Sequence, residues 1–498
     1  MIFLSRYQQH KRDQKRKSGD NILLEACREG DLSRVQGILT EGHVDINSRE
    51  REYGMTPVML AARGGHSPLE IIKYILSRNI TAINNRGIYG RTSVVLAACG
   101  GHRDVFDYLV HKGCNMSFVD NKGNNILHMA CHGGHLAIVK YIMSLDIVDI
   151  NSRGQYGRTS AMTAAYNGKS EVFKFLLGKG ANVSLVDKAG DNILHISCRG
   201  GHVRMVKYII SLNIVDINSR GQRERTSVIM AALFGHREVF DICACAGGNV
   251  SQVDAEGSSI LHMACFGGHV EMVKYIFSQN ITDINSRGMH GMTPLHLAAR
   301  EGHREVFELV VDKGSDTSLE DINGDNILHL ACIGGNVEIV KYILSQNIVD
   351  INNRGMYERT PLMVAALFGH REAFELVLDK GGDTSLVDTC DVNILHLACI
   401  GGNVAIVKYI LSQNFVDINS RGKIGRTPVM VAAAEGHIDL CYLLISKGSD
   451  LSVVDDNGCT ILHVACYHGQ VEIINLVTWC TRVMPILILE TQKSRNST

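Results

Sequence analysis

Apolar positions fall along this chain in two recurring kinds of run. The longer kind, as in VEIVKYIL (Val337–Leu344), places apolar residues at i, i+2, i+3, i+6 and i+7. That spacing predicts an amphipathic helix with one side packed inward, while Glu338 and Lys341 face water. A shorter apolar run precedes each longer one and predicts a short first helix. Between successive pairs lie extended segments rich in turn residues, such as VDINSRG (Val148–Gly154).

The pattern returns every 67 residues. His128, His195, His262, His329, His396 and His463 hold this spacing, and so do Thr92, Thr159, Thr226, Thr293, Thr360 and Thr427. So exact a period means one structural unit stacked in tandem. A stack of near-copies offers a long surface and no obvious pocket, which favours a binding protein over an enzyme.

Each 67-mer consists of two related halves of 33 and 34 residues. In one half Thr precedes the first helix, and Thr56, Thr293, Thr360 and Thr427 are followed by Pro57, Pro294, Pro361 and Pro428. Thr suits the N-cap and Pro the first helical position. In the other half the cap is Asn125, Asn192, Asn326 or Asn393, with Ser259 and Thr460 as substitutes. Gly134, Gly201, Gly268, Gly335 and Gly402 end the first helix, where a left-handed residue is needed.

The half-repeat resembles the ankyrin repeat, most closely in MTPLHLAAREGHREVF (Met292–Phe307). The resemblance covers roughly Ser18 to Glu490, about 14 units. It implies an all-α repeat solenoid, in which helix-turn-helix units with β-hairpin fingers stack into a curved superhelix. Residues 1–17 are then a basic, disordered N-terminal tail, 18–490 the array, and 491–498 a polar C-terminal tail. The first and last units differ from the rest and are expected to act as caps. Repeat 1 has Leu24 in the His slot, repeat 2 gains two residues near Ser67-Pro68, and the last unit runs into Trp479 and VMPILIL (Val483–Leu489).

Composition adds limits. The net charge is −1, so bulk attraction to nucleic acid or to an anionic membrane is not expected. No apolar run reaches the ~18–20 residues that span a bilayer, and Met1–Leu4 is too short for a signal-peptide core. A cytoplasmic protein is predicted, with nuclear import as an option through the basic tail, which holds six Lys or Arg and one acid in residues 1–17.

Seven of the 15 cysteines occupy one first-helix slot: Cys27, Cys131, Cys198, Cys265, Cys332, Cys399 and Cys466. Equivalent slots two repeats apart lie roughly 16–20 Å from one another, beyond disulfide reach. They read as small buried hydrophobes in a reducing compartment. His-x-x-Cys recurs six times, from His128/Cys131 to His463/Cys466. It supplies about two metal ligands per repeat, where a structural zinc site takes four. No metal and no cofactor is expected. A second histidine follows the inter-helix Gly in most units and gives way to Asn336 and Asn403, an interchange that suits a hydrogen-bonding cap better than a catalytic base. No set of acid, base and nucleophile stands out, so no enzyme is expected.

The finger segments alternate in charge. Arg153 to Arg158, Arg220 to Arg225, Arg354 to Arg359 and Arg421 to Arg426 are basic. Asp187 to Asn192, Glu320 to Asp325, Asp388 to Asp391 and Asp455 to Asn457 are acidic or amide-rich. Alternating bands suit a partner of alternating charge or a second copy offset by one repeat. Neighbouring fingers pairing Arg with Asp along the edge is the plainer explanation. Loops on a rigid scaffold commonly carry recognition, so the candidate partner contacts are Arg153, Tyr156, Arg158, Arg220, Arg225, Arg287, Arg354, Tyr357, Arg359 and Arg421.

The function expected is a non-enzymatic scaffold or adaptor that binds a protein partner on its concave finger and first-helix face. Two alternatives stand beside it: a regulatory or substrate-recruiting subunit of an enzyme complex, such as a phosphatase or ubiquitin ligase, and the ankyrin array of a larger membrane or cytoskeletal protein. Residues 324–356 and 391–423 agree at 27 of 33 positions, as though the copies had not diversified to read a partner residue by residue. Repeat 7 stands out: Ala244 fills a slot held elsewhere by Val110, Leu177, Val311, Leu378 and Ile445, which predicts a cavity and a weak joint there.

Overall fold

A computed structural model describes residues 19–42, 44–64 and 68–482. The basic tail 1–17, the polar tail 491–498 and the VMPILIL segment lie outside the described residues. By its contacts the chain divides into two compact units, Met1–Val250 and Ser251–Thr498. Each is a succession of short helix pairs.

Within a pair the two helices are built differently. The first is apolar all round and enclosed: Pro361–Phe368 buries six consecutive residues, Pro361 to Ala366. The second buries one stripe, as in Val337–Gln346, where Ile339, Val340 and Ile343 are inside while Glu338 and Lys341 are exposed. In the Thr-capped halves this stripe centres on Phe106, Phe173, Phe307 and Phe374, all fully buried. Each meets a tyrosine of the next half edge-on, with ring centroids 5.8 Å (Tyr141), 6.1 Å (Tyr208), 5.8 Å (Tyr342) and 6.3 Å (Tyr409) apart.

The caps follow the sequence in most units, but the hydroxyls of Thr56, Thr92 and Thr427 make no capping bond. Asn125, Asn192, Asn326 and Asn393 accept N–H groups of the first turn, as do the hydroxyls of Thr159, Thr226, Thr293 and Thr360. The paired glycines between the helices have separate reasons. The second of each pair is left-handed, with φ of 73° at Gly402. A Cβ on the first, Gly401, would run into the Leu367 carbonyl of the preceding unit.

Three kinds of hydrogen bond tie unit to unit. The first-helix histidine is buried, and its Nδ1 accepts its own cap's N–H (Ser259 to His262, 3.1 Å; Thr293 to His296, 3.1 Å; Asn326 to His329, 3.2 Å). Its Nε2 donates to a carbonyl of the next finger: Arg158 from His128 (3.0 Å), Met292 from His262 (3.1 Å), Arg359 from His329 (3.0 Å) and Arg426 from His396 (3.1 Å), while in the Asn-capped halves Nδ1 also lies 2.7–2.8 Å from the cap's Oδ1. The second histidine is the N-cap of the second helix by position, but its side chain turns back to the preceding unit. His135 Nε2 bonds the Cys99 carbonyl at 3.0 Å and His370 Nε2 the Ile333 carbonyl at 3.1 Å; Asn336 supplies an amide to the equivalent Arg300 carbonyl at 2.8 Å, while Asn403 donates two residues further on, to the Gly369 carbonyl at 2.7 Å, and caps its own helix by accepting the Ile406 N–H. Their interchange with histidine is the exchange of one N–H donor for another. Lastly, the asparagine of the DIN turn accepts an N–H 31 residues on, at 2.8 Å from Asn151 to Asn182 and at 2.9 Å from Asn419 to Asp450.

Three expectations change. The fingers are tight turns, not strand pairs: among the described residues there is no strand. Gly154 N–H bonds the Arg158 carbonyl at 2.8 Å around a short 3-10 turn, and one bond, Lys188 N–H to the Tyr156 carbonyl at 2.9 Å, links that finger to the next. One closing bond per finger is too little for a ladder. The Ala244 slot is half-buried, as are Val110, Leu177, Val311, Leu378 and Ile445, so truncation there leaves no enclosed cavity. The enclosed slot is one residue earlier and holds Cys243 in place of Leu109, Leu176, Val310, Val377 or Leu444. Its Sγ lies 3.5 Å from that of Cys198, a thiol contact that comparison of equivalent slots does not reveal. At the C-terminal end, Tyr467, Val471 and Trp479 stay exposed among the described residues, so the last described helices do not themselves close the stack.

Burial lowers the pKa of the first-helix histidines, to about 4 at His296, and in the same direction at His128, His195, His262, His329 and His396. A depressed histidine binds fewer protons folded than unfolded. Its stabilising contribution is therefore complete above the unfolded value near 6.5 and is lost as pH falls toward the folded value. Between pH 7 and 5 the protein should lose stability, with His296 alone accounting for roughly 2 kcal/mol. Urea unfolding at the two pH values measures this; equal midpoints would contradict it.

Candidate partner-binding surface

The finger arginines are placed by the scaffold. The first arginine of a basic finger spans two turns: Arg153 donates to the Gly157 carbonyl of its own finger (2.9 Å) and to the Val186 carbonyl of the next (2.6 Å). Arg287 does the same with Gly291 and Glu320 (3.1 and 2.6 Å). Arg354 reaches the Val387 carbonyl at 3.1 Å, and Arg421 that of Val454 at 2.8 Å. The second arginine pairs with a buried carboxylate of the next finger: Arg158 with Asp187 (3.4 Å) and Arg359 with Asp388 (3.0 Å). Arg220 pairs with Glu224 inside its own finger at 2.9 Å, and Arg225 is half-buried. The alternation of charge thus joins finger to finger.

What remains outward is the tip. Tyr156 is 63% and Tyr357 54% exposed. They belong to a series spaced by 67 residues, Tyr156, Arg223, His290, Tyr357 and Ile424, with left-handed φ of 58°, 54°, 53°, 57° and 51°. A side chain there costs on the order of 1–2 kcal/mol relative to glycine, and for the β-branched Ile424 the conformation is a marked outlier. All five are exposed. An unfavourable conformation retained in five copies with four different kinds of exposed side chain points to a role for those side chains.

Behind two of the tips, clefts open between fingers and first helices. In the first unit a cleft of about 270 Å³ includes Asn124, His132, Tyr156, Thr163, Tyr166 and Asn167 in its wall. In the second unit the cleft four periods on, about 550 Å³, has Val392, Ile400, Ile424, Val431, Ala434 and Glu435 at those six places. Arg91, His128 and Arg158 recur as Arg359, His396 and Arg426, so the frame is constant while those six places go from polar and aromatic to mainly aliphatic, and Gln155 gives way to Lys423. In the first cleft the Arg158 guanidinium sits against both Tyr156 (5.5 Å) and Tyr166 (5.0 Å).

The lining residues at the end of the first helix were not among the sequence candidates. Their signal is a column of the 67-residue period, His132, Arg199, Phe266, Ile333, Ile400 and Tyr467, which follows an unvarying cysteine and precedes an unvarying or nearly unvarying glycine pair. Similarity between residues 324–356 and 391–423 concealed it, since both have isoleucine there. Of the first-helix histidines, His128, His195, His262, His296 and His329 engage backbone groups with both ring nitrogens.

A family model described as "Ankyrin repeats (3 copies)" matches residues 23–120, 94–187, 161–254, 228–321, 313–388 and 395–479. The chain belongs to the ankyrin-repeat family. Ankyrin repeats are generally protein-interaction modules. Similar proteins include human "Transient receptor potential cation channel subfamily A member 1", 25% identical over 446 residues, which are 72% of this chain and 40% of that protein. "Ankyrin repeat and KH domain-containing protein mask-1" of Caenorhabditis elegans is 28% identical over 57% of this chain and 11% of its own length. "Putative palmitoyltransferase ZDHHC13" of Danio rerio is 28% identical over 48% and 32%. The chain therefore spans less than half the length of each of these three relatives. Among solved structures, the human ASB11 ankyrin repeat domain aligns with 41% of this chain and 90% of its own at 25% identity and a TM-score of 0.37.

The ankyrin tips give a test in which stability and recognition move oppositely. Ile424→Gly should raise stability by about 1 kcal/mol by relieving the left-handed strain, read as a higher urea midpoint. An unchanged or lower midpoint would show that the Ile424 side chain is held by contacts that outweigh the strain.

Proposed function

We propose that this ankyrin chain is a non-enzymatic interaction scaffold that holds protein partners along the finger tips and the clefts behind them. The observation that carries this reading is the pair of equivalent clefts, constant in frame and different in lining. Packing requirements alone would keep the linings alike, because the neighbouring helices are near-copies. A rigid array with its tips already in place binds with little reorganisation.

The experiment compares two sets of variants of the full chain against a partner captured by it and then purified. Replacing Tyr156, Arg223, His290, Tyr357 and Ile424 by glycine should weaken binding at least ~10-fold, since exposed aromatic and arginine anchors dominate such interfaces. Replacing Lys207, Lys274, Lys341 and Lys408, on the second helices, by alanine should change it less than about 2-fold. Equal losses from the two sets would refute the finger-side site.

The human cation channel, matched over 72% of this chain and 40% of its own length, favours a second reading, in which the array is the interaction part of a longer membrane protein. An antibody to the repeats tests it on the native protein: a band near 54.7 kDa contradicts that reading, and a much larger one supports it.

A further inference from the structure

The net charge of −1 conceals a segregation. Residues 1–250 hold 32 Lys or Arg against 22 Asp or Glu, a net of +10, and residues 251–498 hold 18 against 29, a net of −11. The boundary between the signs is the boundary between the two compact units. Whole-chain charge therefore misdescribes both, and the first unit attracts anions.

Half of that excess, +5, belongs to residues 1–17, outside the described residues; part of the remainder meets at the cleft. Arg91 and Arg158 frame it, His132 and Tyr166 form its floor with Tyr156 at its edge, and Lys169 follows the next inter-helix glycine. Asp120 and Asp187, the partners of Arg91 and Arg158, are buried behind the arginines, with side chains 1% and 2% exposed. They neutralise from below and leave the open side positive. Two neighbouring side chains register this field. Burial and then Arg91 and Lys169 lower the pKa of His132. At Cys99 burial raises the pKa, while Arg91, Arg63 and Lys169 draw it down; no carboxylate acts on either. Along the flanking fingers and helix ends, Arg63, Lys122, Lys188 and Arg199 continue the positive strip. The tyrosines supply flat apolar walls with hydroxyl groups, suited to an extended chain.

We infer that the cleft between the Tyr156 finger and the His132–Tyr166 floor seats an acidic segment of a partner protein, with a carboxylate against Arg91, Arg158 and Lys169. This rests on the finger-side reading above and gives it a ligand chemistry. The equivalent cleft of the second unit, with Val392, Ile400, Ile424, Val431 and Ala434 in its wall and Glu435 in the place of Asn167, suits such a segment less well.

The test uses the full chain and a dye-labelled decaglutamate peptide, followed by fluorescence anisotropy at low and physiological salt. Thermal unfolding checks that each variant remains folded. Lys169→Glu, and separately His132→Ile with Tyr166→Ala (the residues of the second cleft), should each weaken binding about 10-fold or more. Lys207→Glu, the same charge change on a second helix, should weaken it less than about 2-fold. Equal loss from Lys169→Glu and Lys207→Glu would show diffuse attraction to the basic unit and overturn the site. A single-stranded DNA of equal charge that binds more tightly and depends on His132 and Tyr166 would overturn it in favour of nucleic acid. Self-association at low salt that the peptide dissolves would overturn it in favour of a second copy. The finger-tip glycine variants described above are read with the purified partner, so this inference can fail while the finger-side reading stands.

Discussion

Everything in this molecule depends on the hydrogen bond that a buried imidazole makes to the backbone of the next repeat. The first helix of each unit is nearly all apolar and cannot stand alone in water. In the Asn-, Ser- and Thr460-capped halves, and in the Thr293 half, a histidine stands in that helix; in other Thr-capped halves Val95, Met162, Ile229, Met363 and Met430 fill the slot. By accepting its own cap N–H and donating to the following finger carbonyl, the histidine couples the start of a helix to the position of the neighbour's finger. At His262 and His296, whose caps are hydroxyls, both ring nitrogens are satisfied in the neutral Nε2–H form, and burial favours the neutral ring. The second histidine and the DIN asparagine repeat the logic at other levels of the junction. The fingers consequently project at fixed places, which is what makes a lining that varies behind them useful for recognition.

Much of the fold was legible because repetition multiplies weak signals. A lone Thr-Pro or Asn-Ile-Leu-His is poor evidence of a helix start; a Thr column and a His column, each six deep at one spacing, leave little choice. The inter-helix glycines, the buried cysteine ladder and the stripe of the second helix are all placed as their spacing implies. The fingers were misjudged in detail, since a hairpin and a tight turn share the same glycines and aspartates, and only the number of closing bonds separates them. Ala244 was misjudged because an apolar slot in the period is not necessarily an enclosed one: the helix turns Cys243 inward and leaves Ala244 at the edge.

The candidate site was less legible. Arginines spaced along exposed turns look alike whether they await a partner or hold the next turn, and here Arg153, Arg158, Arg287, Arg354, Arg359 and Arg421 hold the next turn. Their carbonyl and carboxylate acceptors lie 29 to 35 residues away and have no local signature. Tyr156 and Tyr357 proved to be exposed tips. The residues that distinguish one cleft from another, His132 and Tyr166 against Ile400 and Ala434, were present in the period but hidden by the likeness of the copies around them.

The finger arginines bear on how such an array grows. One arginine of a basic finger grips a backbone carbonyl, which every successor offers. The other grips an aspartate, Asp187 or Asp388, which only an acidic successor offers. A single half-repeat copied in place would set arginine beside arginine and leave a carboxylate without its cation. A Thr-capped and an Asn-capped half copied together restore the alternation at both seams. The pair is thus the insertion that keeps both contacts, and the 67-residue period is its length; where two basic fingers do follow one another, at Arg49 and Arg86, Met55 stands in the place of the second arginine and only the carbonyl grip is made.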